Sequence, residues 1–395
     1  MKLLGCLACV LLVLAPRDTM AQSATLSGSI RNYNLLRVQD APARPDAARD
    51  INFLSVRVVS DIGFTDHFKI ESHALVDLVG PAQSTPVGLR GVSSQTFLPL
   101  DHDFASNSDV TASGAFDRLN ARVHTSSIDL RVGRQAITWG VNTLFPSLDV
   151  FSPYSPTQID RDYKAGVDAV RLTVSPGSHL EVDVVGAQLE AGDVEPTAAG
   201  AMVRVSAGAI DAGFMGGSFY DDFRAGAYAS VSVAGTGLRG EVSRTTPGDP
   251  VDRLRRPSFW RAGIGVDRQL TSTLMLSAEV AYNGFGERRA QDYPAVLTSA
   301  RFQRGELAGP GQLATGGTLS WKFHPLGTLS TLAVVNLDDG SAAIMPIVYW
   351  SVNSRIDILG GVQVLTGHSP TPTGIPRSEY GGLGSAVVTG LKVYL

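Results

Sequence analysis

The chain has 395 residues, of which 44% are hydrophobic and only 18% are charged, and its formal net charge is −4. Charged residues usually make up about a quarter of a soluble globular domain, so this composition disfavours a soluble enzyme. The small negative charge also argues against the basic stripe of a nucleic-acid-binding protein, and we expect no nucleic-acid partner.

The first 21 residues have the pattern of a cleaved secretory signal. Lys2 gives a positive start, residues 3–15 form an apolar run, and Thr19-Met20-Ala21 supplies small residues at the −3 and −1 positions. The apolar run is shorter than the roughly 20 residues that a spanning helix needs. We therefore expect residues 1–21 to be removed on export, with an uncleaved anchor as the alternative.

The mature chain, residues 22–395, would contain no cysteine, because Cys6 and Cys9 both lie inside the signal. This excludes disulfides, thiol catalysis and cysteine-ligated metal. No apolar run after the signal reaches eighteen residues, which excludes a helical inner-membrane protein. The remaining classes are a periplasmic or secreted β protein and a transmembrane β-barrel.

Alternating polarity over about ten residues, followed by a turn, recurs along the mature chain. In residues 222–233, 272–283 and 354–364, for example, the alternation makes one face of the strand apolar. This length suits a tilted strand that crosses a bilayer. The predicted strands lie near 24–35, 50–60, 67–78, 115–125, 127–137, 167–175, 179–188, 199–207, 209–220, 222–233, 236–245, 258–268, 272–283, 313–323, 326–336, 341–350, 354–364 and 385–395. We therefore predict an all-β fold: one transmembrane antiparallel β-barrel of about eighteen strands, with sixteen as the alternative.

Short and long connections alternate along the chain. With the N-terminus on the periplasmic side, every second connection should be a short turn. The predicted turns lie at 61–66, 125–127, 176–178, 208, 234–235, 269–271, 324–325 and 351–353. Long connections fall in the other set, and we predict extracellular loops near 79–114, 138–166, 284–312 and 365–384. A soluble sandwich has no reason to sort loop length in this way, so the pattern favours an outer-membrane barrel.

The final segment fits the same interpretation. Val387, Leu391, Val393 and Leu395 share one face of it, with Lys392 opposite. Unpaired backbone groups in hydrocarbon cost several kcal/mol each, so the first strand must pair with the last. We expect the protein in the cell outer membrane, with outer-membrane lipid, lipopolysaccharide and the outer-membrane insertion machinery as partners.

With the apolar face toward lipid, the opposite face lines the lumen and carries many charges. The predicted pore-lining residues are Arg57, Lys69, Glu71, Arg118, Arg122, Asp129, Arg131, Arg134, Arg171, Glu181, Asp183, Arg204, Arg224, Arg239, Glu241, Arg261, Glu279, Lys322, Arg355 and Asp357. On the lipid side such charges would cost roughly 2–4 kcal/mol at mid-depth, so they require a wet lumen or mutual pairing. Ion pairs between neighbouring strands are the favoured interpretation, and a basic stripe that orients polar or anionic solutes is the alternative.

The segment from Trp139 to Lys164 combines prolines, aromatic residues and small residues. A loop this apolar is not expected to stay in water, so we predict that it folds into the barrel mouth as a constriction. The alternative is an outer cap packed on neighbouring loops. The predicted constriction residues are Trp139, Phe145, Asp149, Phe151, Tyr154, Asp160 and Arg161.

Residues 133–171 carry a family resemblance. Gly133-Arg134-Gln135, Trp139-Gly140, Phe151-Ser152-Pro153 and Gly166-Val167-Asp168-Ala169-Val170-Arg171 resemble a pattern in porin-like barrels related to alginate-export channels. The resemblance implies a channel with Arg134 in the lumen near the constriction. Strict alternation from Arg131 would point Arg134 outward, so we infer a β-bulge at Gly133.

These features predict a porin-like channel for diffusion or facilitated passage of small polar solutes. One alternative is a non-conducting adhesin or receptor that acts through loops 79–114 and 284–312. The other is an outer-membrane enzyme, which we disfavour because His73 and His124 have no serine or aspartate in a recognisable triad motif. The histidine and aspartate spacing predicts no metal site, and we expect no cofactor.

Overall fold

The structure is a computed structural model. It describes residues 22–39, 41–42, 48–81, 96–107, 109–188 and 197–395. The signal predicted at residues 1–21 and the middle of the loop predicted at 79–114 lie outside the described residues. The signal therefore stays a prediction.

Strands account for most of the described chain. They are β1 (Ser23–Arg37), β2 (Asp50–Thr65), β3 (Phe68–Gly80), β4 (Asp101–Ser106), β5 (Thr111–His124), β6 (Ile128–Gln135), β7 (Val167–Val174), β8 (Leu180–Gln188), β9 (Thr197–Ala207), β10 (Ile210–Phe219), β11 (Asp222–Val233), β12 (Thr236–Thr246), β13 (Phe259–Thr271), β14 (Leu274–Asn283), β15 (Leu313–His324), β16 (Gly327–Asn336), β17 (Ala342–Asn353), β18 (Ile356–Thr366) and β19 (Ala386–Tyr394).

Eighteen of these strands form a closed antiparallel barrel, which confirms the predicted fold. Neighbours in the sequence pair with each other, and β1 closes the ring on β19 in a register that runs from Ser29↔Tyr394 to Arg37↔Ala386. The remaining strand, β4, lies within the predicted 79–114 loop and pairs with the first residues of β5. β4 was not predicted, because this whole segment was expected to be a loop.

The two ends of the barrel differ in the length of their connections. At one end, the short-turn end, eight connections have two to five residues each. At the other, the long-loop end, the chain makes the connections 136–166, 284–312 and 367–385, among others. Loop length therefore sorts by position along the chain as the sequence predicted.

Loops at the long-loop end contain short helices. These are α1 (Pro250–Arg255), a 3-10 turn (Ala290–Asp292), α2 (Tyr293–Leu297) and α3 (Ala300–Gln303). Within the described residues, no helix is long and apolar enough to cross a membrane.

The outer face of the barrel is apolar and exposed. Ile264 and Phe214 have 68% and 63% of their surface accessible, and they alternate along their strands with inward side chains. Arg224, Glu241 and Glu279, by contrast, point into the barrel and are buried there. The alternation thus separates an apolar exterior from a charged interior, which is the arrangement a lipid-embedded barrel needs.

The bulge inferred at Gly133 is absent, so that inference was wrong. The β5–β6 register continues from Asn120↔Gly133 to Leu119↔Arg134 without a shift. Gly133 instead adopts a φ of 117°, and a Cβ there would lie 2.3 Å from the carbonyl oxygen of Leu119. A backbone twist at a glycine therefore takes the place of an inserted residue.

We predict that Gly133→Ala destabilises the barrel by about 1–3 kcal/mol, because the new methyl group would meet Leu119 in a disfavoured backbone conformation. The measurement is the urea midpoint of the protein folded in detergent micelles. Gly186→Ala is the matched control, since a Cβ at Gly186 meets nothing within 4 Å. Equal midpoints for the two variants would contradict the strain assigned to Gly133.

Candidate functional site

The chain leaves the barrel wall after Gln135 and rejoins it at Val167. The residues between, 136–166, fold inside the barrel, and we call them the inner loop. Trp139 anchors its first part: its indole nitrogen donates to Asp183 Oδ2 at 2.9 Å, and its ring packs edge-on against Phe151 and Phe219 at 5.3 and 5.9 Å. Burial of these rings explains why so apolar a segment lies within the lumen.

Glu241 of β12 binds the backbone of the inner loop. Its Oε1 accepts hydrogen bonds from the N–H groups of Val141 and Asn142, the latter at 2.6 Å. Its Oε2 accepts from the N–H groups of Ser147 and Leu148 at 2.8 and 3.2 Å. A loop without regular structure has unpaired donors, and this buried carboxylate satisfies four of them.

Glu279 of β14 binds the backbone of residues 143–145 of the inner loop in the same way. Its carboxylate accepts hydrogen bonds from the N–H groups of Thr143 at 2.7 Å and of Leu144 and Phe145 at 3.0 Å each. Arg239 donates to the same carboxylate at 2.6 Å. The sequence placed Glu241 and Glu279 among the pore-lining residues, but the structure uses both to hold the inner loop against the wall.

Glycines on the lumen face let the inner loop lie close to the wall. A Cβ at Gly226 would be 2.4 Å from Leu148 Cδ2, and one at Gly263 would be 2.5 Å from Asn142 Nδ2. On the side of β8 to β15 the loop therefore sits directly on the strands. This docking surface was not predicted from the sequence.

Lys164, near the end of the inner loop, contacts residues in the first part of the loop. Its ammonium group contacts the Asp149 carboxylate and donates to Ile137 O at 2.6 Å, with 7% of the side chain exposed. Arg118 of β5 donates in turn to the Lys164 carbonyl. Asp149, predicted as a constriction residue, is thus an internal partner of the loop.

The second part of the inner loop, residues 152–166, reaches the opposite side of the barrel. Asp160 contacts Arg31 of β1 at 3.0 Å. The Tyr163 ring lies between two guanidinium groups, with the Arg31 and Arg57 carbons 4.7 and 4.0 Å from its centre. The loop therefore spans the lumen and is fastened on both sides.

Arg161 and Tyr154 also lie in the second part of the inner loop. Arg161 donates to the carbonyl groups of Ser155, Pro156 and Gln158, and the Tyr154 hydroxyl donates to the Arg161 carbonyl. Both predicted constriction residues thus stiffen the loop that carries them.

A cavity of about 290 Å³ lies between residues 152–166 of the inner loop and strands β2, β3, β4 and β5. Its described lining is mostly polar, and its aspartates outnumber its arginines by five to three. The aspartates are Asp77, Asp101, Asp103, Asp117 and Asp160, and the arginines are Arg31, Arg57 and Arg134. Each of these arginines is paired, Arg57 with Asp117 at 2.6 Å for example. The arginines of the cavity are therefore neutralised, and an excess of aspartates remains.

Many of the other predicted pore-lining charges pair with one another along the wall, as the favoured interpretation held. These contacts are Arg122 and Arg131 with Asp129, Arg171 with Asp183, Arg204 with Glu181 and Asp183, and Arg239 with Asp267. Glu71 accepts a hydrogen bond from Asn120 at 3.0 Å. Lys69 and Lys322 are exposed near the short-turn end, and Asp357 lies beside Lys392 in the β18–β19 register.

Arg224 and Arg261 contact the 284–312 loop rather than open lumen. Arg224 donates to Glu306 Oε2 at 2.7 Å, and Arg261 donates to the carbonyl groups of Glu306 and Ser147 at 2.5 and 2.7 Å. The 284–312 loop thus folds back onto the same side of the barrel as the first part of the inner loop.

Arg134 lies in the wall, with 2% of its surface exposed. It bonds to Asp168 of β7 at 3.0 Å, to the Phe116 carbonyl of β5 at 3.0 Å, and to the Leu98 carbonyl at 2.6 Å. Its side chain, near the end of β6, thus bonds to both neighbouring strands, β5 and β7, at the edge of the cavity. Arg134 also lines the cavity beside the inner loop, so its predicted place in the lumen near the constriction stays a prediction.

Arg355 was predicted on the lumen face and lies instead in the exposed turn between β17 and β18. The prediction began this strand at residue 354, whereas β18 begins at Ile356. Asn353 accepts the Arg355 N–H at 2.8 Å, which stabilises the turn, so the alternation begins two residues later than expected.

Glu379, in the loop 367–385, lies among acidic neighbours. Asn336 donates to its Oε2 at 2.7 Å, while Asp339 accepts the Glu379 N–H at 2.9 Å. Desolvation raises the pKa of the Glu379 carboxyl to about 7, and the Asp339 and Asp338 carboxylates add to the rise against the hydrogen bond from Asn336. Tyr380, next in the chain, belongs to the apolar cluster around Phe145 of the inner loop.

Comparisons with known proteins support the barrel fold. No protein-family model matches the chain, and no curated protein matches its sequence. Among solved structures, Pseudomonas aeruginosa OccD3 (OpdP) aligns with a TM-score of 0.58 and 9% identity, over 96% of this chain and 93% of that one. Acinetobacter baumannii OccAB2 gives 0.56 and 9%, over 96% and 99%. Pseudomonas aeruginosa OpdK with vanillate gives 0.55 and 11%, over 95% and 99%.

These neighbours are Occ/OprD outer-membrane porins, so the broad part of the resemblance, a porin-like barrel fold, is supported. At such low identity the likeness concerns the fold alone.

We predict that Glu241→Gln loosens the inner loop. The glutamine –NH2 group would face backbone N–H groups that donate to a carboxylate oxygen in the unmodified protein. Losing such charge-assisted hydrogen bonds costs about 1.5–3 kcal/mol, which corresponds to roughly 10- to 100-fold faster amide exchange. Hydrogen exchange of residues 140–148 measures this. Glu181→Gln is the control, since Glu181 pairs with Arg204 in the wall. Unchanged exchange in the Glu241 variant would refute the anchoring role.

The packing of loop 367–385 should depend on pH through Glu379. Because folding raises its pKa, the stability tied to its protonated form is complete below about pH 4.5 and is lost as the pH rises through 7. We expect faster proteolysis of this loop at pH 8 than at pH 5, and a weaker pH dependence in Glu379→Gln. Glu287→Gln, in a neighbouring loop, is the control. A Glu379 variant that kept the full dependence would exclude this carboxyl as its source.

Proposed function

We propose that the protein is an outer-membrane channel through which small polar solutes pass by diffusion or facilitated passage. The observation that carries this proposal is a closed barrel with an apolar outer face, a charged interior, and an inner loop that narrows the lumen to a polar cavity. Each of these features has a physical reason in a channel, and together they suit a soluble protein poorly.

The outer face supports a membrane location. An exposed band with Ile264 and Phe214 would be unfavourable in water, whereas in lipid it lowers the free energy of the barrel. The β1–β19 pairing leaves the wall without a free edge, so its backbone groups are satisfied in hydrocarbon. We propose export through a signal at residues 1–21, a single barrel domain at 22–395, and the long-loop end outside the cell. Insertion machinery and lipopolysaccharide are the partners that such a location implies.

The interior supports passage on one side of the lumen. The inner loop packs against β8 to β15, while the cavity next to β2, β3 and β5 is lined by aspartates, arginines and small residues such as Ser113. Fixed polar groups of both signs can replace part of the hydration of a small polar solute as it passes. The solved OpdK structure holds vanillate, a small polar aromatic molecule, which is consistent with a solute of this size range in a barrel of this fold.

A non-conducting receptor barrel is the second candidate. It is favoured by how much of the β8–β15 side is filled, since the inner loop and the 284–312 loop are both fixed there through Ser147, Arg261 and Glu306. We propose no catalytic role, because His73 contacts Glu71 and the Tyr163 ring as a wall residue would. Conductance separates the two candidates.

The narrower resemblance to alginate-export channels stays a proposal about ancestry. It rests on the segments around Gly133, Trp139 and Phe151, which lie just before and within the inner loop. We therefore take the resemblance as support for an inner-loop barrel and infer no particular solute from it.

Purified protein in planar lipid bilayers should show single-channel conductance, and Ser113→Trp should lower it several-fold because an indole group would project into the cavity that Ser113 lines. Ala227→Trp is the matched control, since Ala227 pairs with the outward Phe214 and faces lipid. Absence of conductance in the unmodified protein would favour the receptor. Equal conductance of the Ser113 variant and its control would place the route elsewhere in the lumen.

A further inference from the structure

The barrel closes between its first and last strands, and two cations face each other at that seam. Arg31 of β1 lies directly opposite Lys392 of β19 in the register, and both side chains point into the lumen. Like charges in directly opposed positions destabilise a strand pair. The seam therefore needs carboxylates to neutralise it.

The inner loop provides them. Asp160 accepts hydrogen bonds from Arg31 Nη1 at 3.1 and 3.0 Å. Asp162 bridges the seam, with its Oδ2 at 2.7 Å from Lys392 Nζ and 3.4 Å from Arg31 Nη2. Three of the four side chains are well buried, with 7% of Arg31, 12% of Asp160 and 11% of Lys392 exposed, and this limits screening by solvent.

Another pair of opposed arginines shows how the wall solves the same problem by itself. Arg122 and Arg131 are opposite each other between β5 and β6, and Asp129, two residues from Arg131 on the same strand, contacts both. At the seam, Asp357 of the neighbouring β18 is in register with Lys392, yet the carboxylate in contact with the Lys392 ammonium is Asp162 of the inner loop. Neutralisation of the seam thus comes from a distant part of the chain.

Apolar contacts reinforce the charged ones. Ile159 of the inner loop packs against a buried cluster that includes Tyr33 and Leu35 of β1 and Val388 of β19. One short stretch of the loop, residues 159–163, therefore covers both strands of the seam from inside.

We propose that the inner loop is a clasp for barrel closure: Asp160 and Asp162 must dock on Arg31 and Lys392 for the first and last strands to pair stably. Insertion of the loop into the lumen and closure of the wall are then one coupled event. This role does not depend on whether the barrel conducts.

The test is hydrogen exchange, strand by strand, of the full protein folded in lipid vesicles. Asp160→Asn/Asp162→Asn should raise the exchange of β1 and β19 amides at least tenfold and leave β10 and β11 unchanged. Adding Arg31→Gln/Lys392→Gln, which removes the opposed cations, should restore slow exchange at the seam. Glu181→Gln, a lumen carboxylate in the wall, is the control and should leave β1 and β19 unaffected.

Three results would overturn the clasp: unchanged seam exchange in the double aspartate variant, an equal rise in all strands, or no recovery when the two cations are also removed. If the double variant fails to fold, folding of the fourfold variant supports the clasp. Asp162→Asn alone then supplies the exchange measurement, and slow seam exchange in that variant would count against the proposal.

Discussion

Pairing of backbone N–H groups is the constraint on which the whole structure depends. The wall meets it by closing β1 on β19, so that the sheet has no free edge. The inner loop contains no strand or helix that would pair its N–H groups. Seven of these groups instead donate hydrogen bonds to two carboxylates, those of Glu241 and Glu279. Without those acceptors a segment of irregular backbone could not lie buried inside a barrel.

This solution divides the lumen into two unlike halves. Toward β8 to β15, glycines, aromatic rings and the two glutamates join the inner loop to the wall. Toward β1, β2, β3 and β5, aspartates and arginines surround an open cavity, and the loop contacts the wall through ion pairs such as Asp160 with Arg31. The half that is tightly packed gives the loop its position, and the polar half retains a cavity.

Much of the wall could be predicted from the sequence, because a period of two and a strict order of short and long connections follow from local pattern and topology alone. Ile264 and Glu279 point outward and inward as their strand positions require. The contacts of the inner loop were harder to predict from the sequence. The pairing of Lys164 with Asp149, and of Glu241 with amides a hundred residues away, depends on where an irregular loop folds, which no periodicity encodes. Arg134 shows the same limit, since it follows Gly133, whose positive φ interrupts the regular backbone of β6.

The glycines under the inner loop also bear on how such barrels change over evolutionary time. Because a Cβ at Gly226 or Gly263 would force the side chain of Leu148 or Asn142 to shift, the strands and the loop are closely fitted to each other. A loop of different sequence transplanted into this wall would meet gaps or collisions along β11 and β13. New shapes of the lumen should therefore arise through paired substitutions in loop and strand, and exchange of the loop as a separate module should be rare.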